Sequence, residues 1–264
     1  MSVRPDELFT SAESFYARYR PDYPPSLFAF LAERLGWTRQ DSVLDVGCGP
    51  GQSCVPLAGH VGRVVAVDPL AEMLRLARAA ASRAGVDNIE WHQADSSRLA
   101  ELGVTGAAAA VFAASFHWTD RAAVARALDG LLAPDGAIVV IADGLAHDDQ
   151  PDWVHTIAAI RRRYLGPRRL AGSGPWTPPP RRHAEVLHDS PFSIVDAVPW
   201  SWERRLTVDE VVGLQFSYSF STPAQFGSRA GAFAADVRTA LLAAYPGGVV
   251  VEPISVDVVL ARRP

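Results

Sequence analysis

The segment Val43–Gln52, which reads VLDVGCGPGQ, decides how the rest of the chain is interpreted. A short apolar run there ends at an acidic residue, and glycines follow at alternate positions. This pattern predicts a buried strand that leads into a tight loop, with a helix beginning just after it. Because glycine has no Cβ atom and tolerates positive φ, such a loop lets a nucleotide-like molecule approach the backbone at the carboxyl end of a strand.

The spacing of the glycines distinguishes among nucleotide-binding motifs. A dinucleotide fingerprint, G-x-G-x-x-G, would have its third glycine where this chain has Gln52. The G-K-[ST] ending of a P-loop is absent as well. A glycine-rich turn without a ligand would show the same glycines, so features elsewhere in the chain have to decide between these interpretations.

The composition is that of a globular protein. The chain has 264 residues, 48% of them hydrophobic and 20% charged, which suits one α/β domain with an inserted segment. The net charge of −4 gives no basic field of the kind that nucleic-acid binding requires. We find neither a signal peptide nor a run long enough to span a membrane, so we expect a cytoplasmic protein that binds neither nucleic acid nor membrane.

The two cysteines, Cys48 and Cys54, match no metal-ligand spacing, so we expect no metal site. In a reducing cytoplasm both should remain thiols. Cys48 lies inside the glycine loop, where a small and weakly polar side chain is sufficient.

Two further predicted strands end in acidic residues. Residues 63–68 read RVVAVD, and Asp68 follows the glycine loop by ~20 residues, where a carboxylate can accept hydrogen bonds from both ribose hydroxyls. Residues 89–94 form the next strand and lead to Asp95 and Ser96. Either acid can instead cap the helix that follows it, and Asp68 can do both.

A fourth apolar strand, residues 104–114, delivers Ser115, His117 and Trp118 at its carboxyl end. In an open α/β sheet that edge faces the ligand crevice. His117 can therefore act as a base near neutral pH, or it can simply shape the pocket, which is the interpretation that we favour. A helix at 121–132 and a strand at 137–142 complete five strands that alternate with helices, which predicts a doubly wound parallel sheet.

Four strings of this sequence resemble those of class I S-adenosylmethionine (SAM)-dependent methyltransferases. The D-x-G-x-G-x-G pattern from Asp45 to Gly51 resembles their motif I, and the L-x-P-x-G turn before the fifth strand is similar to theirs. The Y-x-x-x-R-P-x-Y-P string at 16–24 resembles a signature that precedes the core in the methyltransferase type 11 subgroup, which includes the trans-aconitate-type enzymes. The S-x-H-W-x-D string at 115–120 resembles one in the same subgroup.

The resemblance implies a Rossmann-like, mostly parallel seven-stranded sheet with an antiparallel last strand beside the fifth and sixth. We expect a single domain made of an N-terminal cover (1–36), a cofactor-binding core (37–145), a helical lid insertion (146–192) and C-terminal strands and helices (193–264). Residues 146–192 are too long for an ordinary loop. Their clustered arginines can attract an acidic substrate, but we favour a solvated face with acidic partners.

The resemblance also implies the cofactor, which is SAM, with S-adenosyl-L-homocysteine as product. Arg20 in the cover can bind the methionine carboxylate through a bidentate contact. Pro69 and Met73 are expected against adenine, and Asp95 beside its amine. The residues assigned to the cofactor are Tyr16, Arg20, Asp45, Gly47, Cys48, Gly49, Gln52, Asp68, Pro69, Met73, Ala94, Asp95, Ser96 and Ser115. Those assigned to the substrate are Trp118, Trp176 and Tyr218.

We therefore expect a biosynthetic SAM-dependent methyltransferase that acts, as a monomer or homodimer, on a small molecule such as a natural-product intermediate or a small organic acid. The expected mechanism is an in-line displacement, in which the protein mainly positions the reactants and excludes water. His117 is the first candidate for a base if the acceptor needs one. The alternatives are a SAM-fold protein that binds the cofactor without methyl transfer, such as a cyclase, and an NAD-dependent dehydrogenase, which Gln52 disfavours.

Overall fold

The structure is a computed structural model and describes residues 11–143, 150–171, 174–175 and 180–264. The chain divides into two compact units. We call one the sheet unit, which comprises the described residues within Asp22–Leu145, Pro179–Trp200 and Ser255–Pro264. The other, the helical unit, comprises the described residues within Met1–Pro21, Ala146–Pro178 and Ser201–Ile254. The predicted division into cover, core, lid and C-terminal part stays a prediction.

Seven strands form one sheet in the order β3-β2-β1-β4-β5-β7-β6. They are β1 Ser42–Val46, β2 Arg63–Asp68, β3 Ile89–Gln93, β4 Ala107–Ala113, β5 Leu132–Asp143, β6 Ile194–Thr207 and β7 Val249–Arg262. The first five are mutually parallel, whereas β7 is antiparallel to β5 with Val139 opposite Leu260. The predicted doubly wound sheet with an antiparallel last strand is thus confirmed.

The described helices follow the apolar periodicity of the sequence. They are α1 Glu13–Tyr19, α2 Pro25–Leu35, α3 Cys54–Ala58, α4 Ala71–Ala84, α5 Arg121–Asp129, α6 Asp152–Leu165, α7 His183–His188, α8 Val208–Phe216, α9 Pro223–Phe226 and α10 Ala230–Ala244. Gly36 follows the apolar pattern of residues 25–35, which predicts that it ends α2, and it does so with a left-handed φ of 67°. Thr207 with Glu210 three residues later predicts a capping box at the start of α8, and Glu210 accepts from the backbone and hydroxyl of Thr207 there.

One predicted helix is divided. The sequence of residues 226–244 predicts one continuous helix, but α9 ends at Phe226, a short 3-10 turn follows, and α10 begins at Ala230. Gly227 has φ +56° and ψ −133°, a combination that a helix interior cannot contain. The glycine therefore redirects the chain between the two helices.

Each unit has its own apolar core. In the sheet unit, the central strands are buried on both faces, as expected of parallel strands covered by helices. In the helical unit, Trp153, Ile157 and Ile160 of α6 are buried with residues of α8 and α10, which confirms the helical spacing of these apolar positions. The rings of Phe226 and Phe233 stack at 4.2 Å within that core.

Helix α1 packs closely on α8 at a glycine. A Cβ atom added to Gly213 would overlap the ring of Tyr19, and the ring of Phe15 lies 5.3 Å from that of Phe216. The contact between α1 and α8 therefore requires glycine at position 213.

We predict that Gly213→Ala destabilises the protein by roughly 1–3 kcal/mol, because the added methyl group forces the Tyr19 ring and α1 away from α8. Denaturant unfolding measures the change. The matched control is Gly231→Ala in α10, where nothing lies within 4 Å of the added atom. It should be neutral or stabilising by up to about 1 kcal/mol, and equal effects of both substitutions would contradict the assignment.

Candidate cofactor site

The glycine loop follows β1, and its three glycines adopt positive φ for different reasons. The values are 74° at Gly47, 53° at Gly49 and 102° at Gly51. A Cβ atom on Gly47 would lie 2.5 Å from the Cβ of Ser115, and one on Gly51 would lie 3.3 Å from Ala77. A Cβ on Gly49 would meet nothing within 4 Å. Close protein packing therefore explains the first and third glycines, and only Gly49 leaves its backbone open to a ligand.

Asp68, the acid at the end of β2, holds the loop in place. Its Oδ2 accepts a hydrogen bond from the Gly49 amide at 2.9 Å, and its Oδ1 accepts from the Leu70 amide at 2.9 Å. Burial raises the pKa of this carboxyl, and the two amides act in the opposite direction. Since each carboxylate oxygen has two lone pairs, both oxygens retain acceptor capacity for further donors.

Asp45 lies deeper than the motif suggested. Its side chain is fully buried, and Oδ2 accepts from the Ser53 hydroxyl at 2.6 Å. Oδ1 has no hydrogen-bond partner among the described residues. Burial, partly offset by the Ser53 hydrogen bond and reinforced by the nearby Asp68, raises the pKa of Asp45 to about 7.

Cys48 and Gln52 complete the loop. Cys48 and Cys54 are both buried thiols, as expected, and a hydrogen bond between them together with burial raises the pKa of Cys48 well above its usual value. The Cys48 thiol is therefore protonated and inert at neutral pH. Gln52 Nε2 donates to Asp22 Oδ1 at 3.4 Å, which joins the loop to the predicted N-terminal signature.

The residues predicted around adenine lie after β2 and β3. Met73 is buried, with 2% of its surface exposed, and Ala94 is also buried, whereas Pro69 and Ser96 are half-buried. Asp95 is exposed, and its Oδ1 caps the 3-10 turn Ser96–Leu102 by accepting from the Ser97 amide at 2.6 Å. The capping interpretation of Asp95 is confirmed, and its second oxygen accepts no described hydrogen bond.

The carboxyl end of β4 passes through a strained residue. Ala114 has φ +52°, which non-glycine residues rarely adopt, and the 3-10 turn Phe116–Trp118 follows. Ser115 is buried, and its hydroxyl donates to the Val46 carbonyl at 2.5 Å, so it supports the loop directly. His117 and Trp118 are half-buried, with ring centres 4.5 Å apart.

Sequence reasoning missed a second histidine beside this turn. His183 begins α7, and its ring centre lies 6.3 Å from that of His117. Arg121 Nη1 donates to His183 Nδ1 at 3.2 Å. Burial, then the charge of Arg121 and His117, lowers the pKa of His183 to about 4, so the ring is neutral at pH 7. No local pattern signalled this, because positions 117 and 183 meet only through the tertiary fold.

Three residues that the sequence assigns to ligand binding, Tyr16, Arg20 and Tyr218, lie together in the helical unit. The Arg20 guanidinium lies 4.2 Å from the ring centre of Tyr218 and 5.1 Å from that of Tyr16, and it donates to the Ser217 carbonyl at 3.4 Å. Arg20, assigned to the cofactor, thus neighbours Tyr218, assigned to the substrate. Trp176 lies outside the described residues.

The loop region fits a nucleoside cofactor on these observations. Gly49 offers open backbone, Asp68 offers remaining acceptor positions for ribose hydroxyls, and Asp45 holds an orphaned buried oxygen below the loop. All three lie at the carboxyl ends of parallel strands, where open α/β sheets bind their ligands.

Within the part of the chain that the structure describes, no cluster of histidine, cysteine and acidic side chains has the arrangement of a metal site. None of the helices described has both the length and the apolar character that crossing a bilayer requires.

Comparison with known proteins agrees with this geometry. Residues 43–136 match the methyltransferase domain family. An uncharacterized methyltransferase of Mycobacterium tuberculosis is 28% identical over 82% of this chain and 79% of its own length. A second one from the same organism is 32% identical over 64% of this chain and 84% of its own length.

Solved structures share the fold. A protein from Anaeromyxobacter dehalogenans, provisionally assigned as a type II methyltransferase, is 24% identical, with a TM-score of 0.60 over 93% of this chain and 98% of its own. The YcgJ protein of Bacillus subtilis has a TM-score of 0.55 at 14% identity, over 90% of this chain and 98% of its own. The chain belongs to the class I SAM-dependent methyltransferases. Its cofactor is S-adenosyl-L-methionine.

We predict that Asp45 makes the cofactor-free protein less stable as pH rises from about 4 to 7. The folded-state pKa is raised from 3.8 to about 7, so the folded protein binds more protons than the unfolded chain in this window, and stability falls with pH there. Asp45→Asn removes this titration. The unfolding free energy of the variant minus that of the wild type should therefore increase from pH 4 to pH 7, by at most roughly 4 kcal/mol.

The control for this experiment is Asp135→Asn, which changes an exposed carboxylate near the start of β5. Its unfolding free energy should follow that of the wild type at every pH. A constant difference between wild type and Asp45→Asn from pH 4 to 7 would show that Asp45 ionises normally.

Proposed function

We propose that this methyltransferase transfers its methyl group to a small-molecule acceptor, as in the trans-aconitate-like subgroup that its N-terminal string resembles. The open backbone of Gly49 beside the buried carboxylate of Asp68 supports the cofactor half of this reaction, and the resemblance of the string at 16–24 supports the small-molecule acceptor. The net charge of −4 gives no support to nucleic acid as the acceptor.

The cofactor would lie along the carboxyl ends of β1, β2 and β3. We propose that Asp68 accepts from the ribose hydroxyls with the lone pairs that the Gly49 and Leu70 amides leave available. Asp95 and the backbone near Ser96 would accept from and donate to adenine, and Pro69 would pack on its face. The role of Tyr16 and Arg20 as a cover over the methionine part stays a proposal.

SAM supplies an electrophilic methyl group on a sulfonium, so the protein needs to position the reactants and exclude water. The assignment of Trp118, Tyr218 and Trp176 to the acceptor, and of residues 146–192 to a lid, comes from the sequence and remains a proposal.

His117 is the proposed base for an acceptor that must lose a proton. It lies in the 3-10 turn at the carboxyl end of β4, and its neighbour His183 is neutral at pH 7. An amine or carboxylate acceptor would need no such base.

We predict that Asp68→Ala weakens SAM binding at least roughly tenfold, because two charge-assisted hydrogen bonds are lost. It should also destabilise the protein by about 1–3 kcal/mol, since the half-buried amides of Gly49 and Leu70 lose their acceptor. Calorimetry with SAM, below the unfolding temperature of the variant, measures the first effect, and thermal unfolding measures the second.

The control is Glu72→Gln, an exposed carboxylate in the first turn of α4 that pairs with Arg75. This variant should bind SAM as the wild type does. Wild-type affinity in folded Asp68→Ala would remove Asp68 from the ribose site.

We predict that His117→Ala lowers kcat for a hydroxyl acceptor by about 10²-fold or more without changing SAM affinity, as loss of a general base requires. The assay follows S-adenosylhomocysteine formation with a panel of phenols, small carboxylic acids and amines. Trp118→Phe is the control and should alter KM more than kcat. Unchanged turnover in His117→Ala would leave the histidine a role in the pocket wall only.

A further inference from the structure

The helical unit contains a cavity of about 220 Å³ at the end of α6. The charged residues that line it, among those described, are Arg161, Arg162, Arg168 and Arg169, and Phe220 forms an aromatic wall. We call it the arginine cavity. Its volume lies below the roughly 300–1,000 Å³ of pockets for drug-sized ligands, so it suits a small molecule.

Two of these guanidinium groups share one aromatic ring. The Cζ atoms of Arg161 and Arg169 each lie 4.7 Å from the ring centre of Phe220. The Tyr218 ring stacks on that of Phe220 at 5.0 Å and 12°. Cation–π contacts of this kind contribute about 0.5–2 kcal/mol each, and they fix the orientation of both guanidinium groups.

The positive charge of the cavity has no acidic partner among the described residues. None of the four arginines forms an ion pair there, whereas Arg163 on the same helix pairs with Asp236 at 3.6 Å. Arg161 is half-buried and donates to the neutral Gln215 Oε1 at 3.2 Å. The structure thus differs from our expectation of a solvated face with acidic partners, which holds for Arg163 and not for Arg161.

The electrostatics of the four arginines favour the binding of an anion among them. Burial, and then the like charges of Arg169 and Arg162, lower the pKa of Arg161 to about 10. The negative end of the α6 dipole is close to these residues, but such a dipole stabilises a cation by only about 0.3–1 kcal/mol. A bound anion therefore stabilises the four clustered cations more than the dipole of α6 does, since α6 carries only Arg161 and Arg162 of the four.

We propose that the arginine cavity binds the oxyanion of a small molecule, either a carboxylate or a phosphate. The planar guanidinium forks of Arg161 and Arg169 match both groups through bidentate hydrogen bonds, and the Phe220 ring packs against the rest of the ligand. The ligand is the methyl acceptor or a separate effector, and in both cases the recognised chemistry is the same. This binding does not depend on the proposed function.

Calorimetry on the full chain, with inorganic phosphate and with citrate as probes, tests the site. The double variant Arg161→Gln, Arg169→Gln should bind the better probe at least roughly tenfold more weakly than the wild type, because charge-assisted hydrogen bonds are lost. The control is Arg163→Gln, which removes one positive charge from α6 outside the cavity. It should retain wild-type affinity.

If the wild type binds neither phosphate nor citrate, the proposal is overturned. It is also overturned if Arg163→Gln weakens binding as much as the double variant does, because general surface charge would then explain the affinity. SAM affinity, measured on the same samples, should be unchanged in the double variant. Failure of the wild type to bind SAM would count against the cofactor assignment and leave the anion result intact.

Steady-state kinetics distinguish between a methyl acceptor and a separate effector as the anion in the arginine cavity. If the ligand is the acceptor, the double variant raises KM for carboxylate or phosphate acceptors and leaves KM for neutral acceptors unchanged. If it is an effector, KM is unchanged, and citrate or phosphate alters the wild-type rate but not that of the double variant. Either result supports the site.

Discussion

The carboxylate of Asp68 is the contact on which the cofactor region depends. It accepts hydrogen bonds from the Gly49 and Leu70 amides, and so joins the end of β2 to the glycine loop and to the start of α4. The neighbouring Val67 carbonyl accepts from the amides of Gly47 and Cys48 at 2.7 and 3.0 Å. Since unpaired buried amides cost about 1–3 kcal/mol each, this strand end fixes the loop conformation before any ligand arrives.

The same loop is supported from the other side by β4. Ser115 packs on Gly47 and donates to Val46, and the chain reaches that position only through the left-handed conformation of Ala114. Backbone strain of this kind persists only where the surrounding structure imposes it, and it is common next to functional sites. Three adjacent parallel strands therefore hold the glycine loop. Of its three glycines, only Gly49 has open space where a Cβ atom would lie.

The two compact units carry different chemistry. The sheet unit holds buried acids and a glycine loop, and the family match at 43–136 falls within it. The helical unit holds a stack of Arg20, Tyr218, Phe220 and two further arginines. Cofactor recognition uses acceptors for hydroxyl groups and an open backbone, whereas the arginine cavity offers only cationic donors and an aromatic face. This contrast is the basis for the proposal that the helical unit binds an anionic ligand.

The sequence by itself determined the strands, most helix boundaries and the class of cofactor. The strands and helix boundaries follow from local patterns: apolar runs that end in acids, the spacing of three glycines, and caps such as Gly36 and Thr207. The class of cofactor follows from the resemblance of short strings to those of class I methyltransferases. Only the tertiary structure decided which glycine is open, that Asp45 is buried with a raised pKa, and that His183 lies beside His117. It also decided that Arg161 lacks an acidic partner while Arg163 has one. Burial and charge pairing depend on neighbours that are distant in the chain, and no local pattern specifies them.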